Sequence, residues 1–273
     1  MTRILTSIHG RKLGIDKDGA LVSPGGFKAG EHGNQLSMPS AARTVLFDDF
    51  LGDVIADQWN ATEGTDSATS DAAILAGGIG GVLRLTTGDA GTGLAADTEQ
   101  LNQALQWQAS NGGLTFQTRL KMSAITTCWA YIGFTDTVTG LEAPATLSAT
   151  TFTTTATDAV GFMFDTTATV DTWRMVGVKA DVDAMTDATS KFSTDTAPVA
   201  DTYATFRIEV DTSGNATFFY NGNRVGYLAN AVTAATDLTP IISVSKVSVA
   251  ASMTMDVDYV YVAQDRGANG AAT

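Results

Sequence analysis

Hydrolytic chemistry commonly needs two carboxyl groups held side by side, about 5–5.5 Å apart where one attacks as a nucleophile and the other gives up a proton. This chain has five glutamates, Glu31, Glu63, Glu99, Glu142 and Glu209, and no two lie within thirty residues of each other. Asp256 and Asp258 are spaced to share one face of a strand, but they sit in the closing run "MTMDVDYVYVAQ". Both histidines, His9 and His32, fall in a glycine-rich opening segment, so a Ser/His/Asp or Cys/His relay would have to be built there. The single cysteine, Cys128, has no basic neighbour and precedes Trp129, which reads as a buried thiol rather than a nucleophile. The glycine pairs of "ILAGGIGGVLRL" lack the Lys-Ser/Thr of a phosphate-binding loop and open no helix. The expectation is a chain without catalytic residues.

Binding residues are easier to nominate. In "TTCWAYIGFTD", alternation puts Trp129, Tyr131 and Gly133 on one face and Cys128, Ala130, Ile132 and Phe134 on the other. The second face is the more apolar and belongs to a core, which leaves Trp129 and Tyr131 as the candidate sugar-stacking surface. The default for large aromatics in a sandwich is burial. In "ADVDAMTDATSKF", Asp181, Asp183 and Asp187 would be the ligands of a loop Ca²⁺ site. An EF-hand is excluded, because Thr186 and Phe192 stand where its glycine and glutamate belong, and a solvated acidic loop is the default.

The elements that must position these groups are strands. Strand-like runs bounded by Gly, Asn, Asp and Thr occur near 45–50, 81–87, 104–109, 114–122, 128–135, 159–165, 172–180, 203–211, 216–220, 224–228, 241–250 and 254–263, and helix signals are nearly absent. "LTFQTRLKM" alternates cleanly, so one side of that strand is wet. "YATFRIEVDTSGNATFFYNGNRVGYL" reads as a three-strand antiparallel meander with turns at "DTSGN" and "NGN". A dozen such strands with turns between them predict an all-β fold of two packed sheets.

Charge divides the chain. Residues 1–43 carry six basic and three acidic groups, net +3, and the remainder carries 10 against 26, net -16, within a total of -13. Periodicity is absent from "GRKLGIDKDGALVSPGGFKAGEHGNQLSMP". The expected organisation is an extended anchoring arm at 1–42 with Arg3, Arg11, Lys12, Lys17 and Lys28, a sandwich at 43–264, and a flexible tail at 265–273. Apolar islands at Ile4, Leu5 and Ile8 and at Ala20, Leu21 and Val22 suit strand addition to a partner. The strongly negative body argues against nucleic acid, and no apolar run has the roughly 18 residues of a membrane span or the pattern of a signal peptide. One cysteine leaves no internal disulfide and no cofactor is implied.

Three segments carry a family likeness: "FDDFLGDVIADQW", "FRIEVDTSGNATFFYNGNRV" and "MTMDVDYVYVAQ". In that order they resemble the start, late middle and end of the concanavalin A-like jelly roll of lectins, laminin G-type modules and family 16 glycoside hydrolases. The resemblance implies a jelly-roll sandwich of two antiparallel sheets with an extended N-terminal arm. It would also imply two Glu and an Asp on one central strand if the chain were a hydrolase, and that set is missing. "HGRKLGIDKDGALV" is similar in style to N-termini of tailed-bacteriophage virion proteins. What that implies is a capsid decoration or head-fibre subunit on the virion surface, made in the bacterial host cytoplasm. Its arm would engage a major capsid or other shell protein, as a homo-oligomer, in particular a trimer. The alternative is a carbohydrate-binding module directed at a host-surface glycan.

Overall fold

The last third of the chain shows why sheets form here. Phe206, Ile208 and Val210 alternate with solvent-side residues, the next strand does the same with Ala216 and Phe218, and Asn221 and Gly222 between the second and third strands have φ of 48° and 79°. Two successive positive φ values make the type I′ turn whose twist matches that of paired strands, and Asn-Gly is the pair that adopts it at least cost. The preceding turn is built by Asp211, whose Oδ1 accepts the amides of Ser213 at 2.8 Å and Asn215 at 3.0 Å.

The structure is a computed structural model describing residues 43–266 apart from 66–69, 79, 92–93, 139–142, 184–195 and 248–249, together with three N-terminal strands. The chain divides into two compact units, Met1–Arg43 and Thr44–Thr273. The first contains an antiparallel sheet of β1 (Ile4–Ile8), β2 (Arg11–Ile15) and β3 (Leu21–Val22). Arg11 and Lys12 lie on β2, whereas Arg3, Lys17 and Lys28 lie outside the described residues.

The second unit is two large sheets and a hairpin. An eight-stranded sheet runs β18 (Asn223–Leu228), β17 (Ala216–Tyr220), β16 (Ala204–Val210), β9 (Leu114–Met122), β20 (Thr254–Asp265), β7 (Leu83–Thr86), β6 (Asp71–Ile74), with β4 (Arg43–Asp48) also on β20. A seven-stranded sheet runs β15 (Val182–Asp183), β14 (Arg174–Lys179), β13 (Ala159–Asp165), β10 (Cys128–Thr135), β19 (Thr239–Lys246), β8 (Thr98–Asn102), β5 (Asn60–Glu63). The hairpin is β11 (Ala145–Ser148) and β12 (Thr151–Thr154). Among the described residues no helix is long and apolar enough to cross a membrane.

Aromatic rings fill the space between the large sheets. Phe162 of β13 meets Phe206 at 5.2 Å and Phe218 at 5.3 Å, and Trp173 meets Phe206 at 4.7 Å, all edge to face. Truncating any of these to Ala costs about 3–5 kcal/mol on general grounds. The opening "FDDFLGDVIADQW" is a corner: Asp48 accepts the Phe50 amide and the Trp59 indole N–H, both at 2.8 Å, so that Phe50 and Trp59 pack into the core. Trp107 is also buried, yet the expected strand at 104–109 is not formed, and Trp107 makes a single bridge to Leu238. The strand lies earlier, at β8, whose polar "TEQLN" hid it. β5, β6, the β11–β12 hairpin and β15 likewise lay outside the expected set. The body's last strand ends at Asp265, and 267–273 fall outside the described residues.

One core group is out of place chemically. Glu99 shares a face with Leu101 and Val244, has no solvent exposure, and among the described residues neither carboxyl oxygen finds a hydrogen-bond partner. Burial raises its pKa to about 8, with the negative charges of Glu63 and Asp71 adding to the effect. A fully exposed glutamate loses its proton near 4.5, so between these values the folded chain holds a proton that the unfolded chain has released. Stability therefore falls as pH rises through that window, by about 1.4 kcal/mol per pH unit for one proton. We expect the melting temperature to fall between pH 5 and 8, and Glu99→Gln to remove that part of the slope. Parallel pH profiles for the two proteins would contradict it.

Candidate functional site

The residues nominated from sequence are placed differently from the expectation. Trp129 and Tyr131 do share a face of β10, but both are fully buried. Their rings lie nearly parallel, 13° apart with centroids at 6.3 Å, in a second apolar cluster with Ala145, Leu147, Met163 and Val176. The Trp129 indole donates to the Ala145 carbonyl at 3.0 Å and the Tyr131 hydroxyl to the Phe134 carbonyl at 3.2 Å. Gly161 makes room for this, since a Cβ there would stand 2.6 Å from the Tyr131 ring. The exposed-platform expectation for Trp129 and Tyr131 is thus corrected. The cause is the β11–β12 hairpin, whose Thr- and Ala-rich sequence gave no strand signal.

Every residue of β8, β10, β13 and β19 is buried, so these strands are closed on both faces. Their outer side also holds Asn102 and Ser243, whose buried side-chain polar atoms find no hydrogen-bond partner among the described residues. Cys128 is fully buried and burial pushes its thiol up to about 12, far from a thiolate at neutral pH. Glu63 and Glu99 are direct cross-strand partners, a proximity that their 36-residue separation concealed. Glu99 faces the interior, however, where a polymer could not reach it. Asp181 sits in the β14–β15 turn and Asp183 on β15 opposite Val178, and Asp187 lies outside the described residues. Among the described residues no three His, Cys, Asp or Glu side chains gather closely enough to hold a metal ion.

The outer face of the eight-stranded sheet is open. Register places Tyr261, Gln117, Arg207, Phe219 and Arg224 in one row across β20, β9, β16, β17 and β18, because directly paired residues point the same way. A second row runs Ala263, Thr115, Glu209, Thr217, Tyr227. Phe47 of β4 adds its ring 6.1 Å from that of Tyr259. Phe47 and Tyr227 are each 48% exposed, and Phe219, Tyr259 and Tyr261 are half-buried. Five aromatic rings thus reach solvent on one sheet face.

Charge is concentrated there too. Of the ten basic residues after Arg43, five lie on this face: Arg84, Arg119, Lys121, Arg207 and Arg224. Asp256 accepts both a 2.7 Å and a 2.9 Å bond from Arg84 and lies 3.5 Å from Lys121. The Asp256 carboxylate in turn raises the pKa of Arg84. Arg119 pairs with Asp258 at 2.7 Å and stacks 4.1 Å over Tyr203, and Arg207 pairs with Glu209. All three carboxylates of this cluster are therefore engaged by cations, which suits a binding surface better than a general base.

No protein-family model matches the sequence, and no curated protein matches it by sequence. Solved structures do match the fold. The chain is similar to a protein of unknown function from Shewanella oneidensis MR-1, at TM-score 0.53 and 14% identity over 87% of this chain and 92% of that one. It is similar to the carbohydrate recognition domain of Emp47p, at TM-score 0.53 and 8% identity over 84% and 99%. It is also similar to the Bacillus licheniformis beta-glucanase, at TM-score 0.52 and 10% identity over 80% and 97%. Such low identities establish architecture alone. The body is a concanavalin A-like jelly-roll sandwich of two antiparallel sheets, the fold that lectin and glucanase domains share.

Proposed function

We propose that the body is a non-catalytic carbohydrate-binding domain that offers the outer face of its eight-stranded sheet to a glycan. The observation that carries this reading is the set of five solvent-reaching aromatics on one sheet face, Phe47, Tyr259, Tyr261, Phe219 and Tyr227, interspersed with arginines. Rings of this kind give an apolar surface on which a sugar's C–H face can rest, and neighbouring guanidinium and amide groups fix its hydroxyls. Exposed apolar groups clustered on one face call for a partner. On a glycan array the protein should bind without generating new reducing ends. Tyr227→Ala and Phe219→Ala should each weaken binding about tenfold, the scale of one lost aromatic contact. Unchanged binding in both variants, with melting temperatures intact, would overturn the assignment of this face.

A second reading concerns attachment and is compatible with the first. The chain divides at Arg43, and the preceding unit has a small sheet of its own with net charge +3 ahead of a body of -16. Its three strands of five, five and two residues form a small sheet with two edge strands, each able to pair with a strand of a partner. In this reading the unit adds its strands to a shell protein and fastens the sandwich to a virion surface, as a decoration or head-fibre subunit assembled as a homotrimer. Deleting residues 2–42 should leave the thermal melt of the body nearly unchanged and abolish incorporation into particles. A truncated protein that aggregates, or still assembles at full occupancy, would contradict the anchoring role.

A further inference from the structure

We propose that the glycan held on this face is an acidic one, whose carboxylate is received by Arg224; this rests on the carbohydrate-binding reading. Strict alternation along "NRVGYL" would place Arg224, Gly226 and Leu228 together on the core side. A register shift prevents that: Phe218 pairs with Gly226, but Phe219 pairs with Arg224. Val225 and Gly226 both turn inward. Val225 packs against the core, and Gly226 lies so close to Met175 that a Cβ would stand 2.2 Å from its sulfur. The bulge therefore delivers Arg224 to the outer face opposite Phe219, with Tyr227 following on the same side. Bulges at sheet edges commonly serve to re-aim a side chain, and β18 is the edge strand.

No carboxylate among the described residues engages the delivered guanidinium. Arg224 is exposed and, among the described residues, makes no ion pair; its contact is the Tyr227 ring at 6.0 Å. Its neighbour Arg207 lies 5.2 Å over the Phe219 ring and is engaged by Glu209. Two aromatic rings and one uncompensated positive charge thus form a single patch, which matches a sugar ring bearing one negative charge. A carboxylate supplies that charge and fits the guanidinium fork with two hydrogen bonds, whereas a phosphate monoester brings nearly two charges to one free cation. The body's overall negative charge does not prevent this. At physiological salt the screening length is about 8 Å, so the groups nearest the ligand dominate.

The test compares a uronic-acid oligosaccharide, the same oligosaccharide with its carboxyls reduced to alcohols, and a phosphorylated counterpart, each titrated calorimetrically into the full chain. The acidic form should bind at least tenfold more tightly than the reduced form and more tightly than the phosphorylated one. Arg224→Gln should erase the difference between acidic and reduced forms while leaving the melting temperature unchanged, and Arg224→Lys should restore part of it. Equal or tighter binding of the reduced or phosphorylated form overturns the carboxylate assignment but leaves the glycan reading standing. Binding of none of the three, together with an empty glycan array, overturns both.

Discussion

Trp129 and Tyr131, their rings nearly parallel, with Tyr131 lying against Gly161 and both roofed by the β11–β12 hairpin, close the outer face of the seven-stranded sheet at its centre. Access to the body's surface depends on that closure. A sandwich has two broad outer faces, and when the central strands of one sheet are buried on both sides the other sheet supplies the accessible one. Here the open sheet also holds half of the body's basic residues and five solvent-reaching aromatics. On the open face Asp256, Asp258 and Glu209 are engaged by arginines, and Glu99 is turned into the core.

Strands with one wet side were legible, because alternation is then a direct record of burial. β9 follows it residue by residue, and the β16–β17–β18 meander announced itself through its turns as well. The strands buried on both sides were legible as strands but not as surfaces. For β10 the sequence offered two apolar faces and no means of choosing the exposed one, since neither is exposed. β8 was missed for the opposite reason: five buried residues spelled Thr, Glu, Gln, Leu and Asn do not look like a core strand.

The candidate site was less legible than the fold. Its residues come from a meander and three strands distant from it in sequence, and only pairing register lines up Tyr261, Gln117, Arg207, Phe219 and Arg224. The bulge at Val225 and Gly226 adds a second obstacle, because counting by twos assigns Arg224 and Tyr227 to opposite faces when they share one. A signal was present in retrospect: a glycine within "NRVGYL" marks a place where strand periodicity is apt to slip.

The central claim is that ligand binds the outer face of the eight-stranded sheet. Backbone amide chemical shifts of the isotope-labelled full chain, followed while a bound glycan is titrated in, test it most directly. Binding on this face gives shifts that cluster on β16, β17, β18 and β20, largest around Phe219, Arg224 and Tyr227. Shifts confined to β8, β10, β13 and β19, around Asn102, Tyr131 and Ser243, would contradict it and move the site to the opposite sheet.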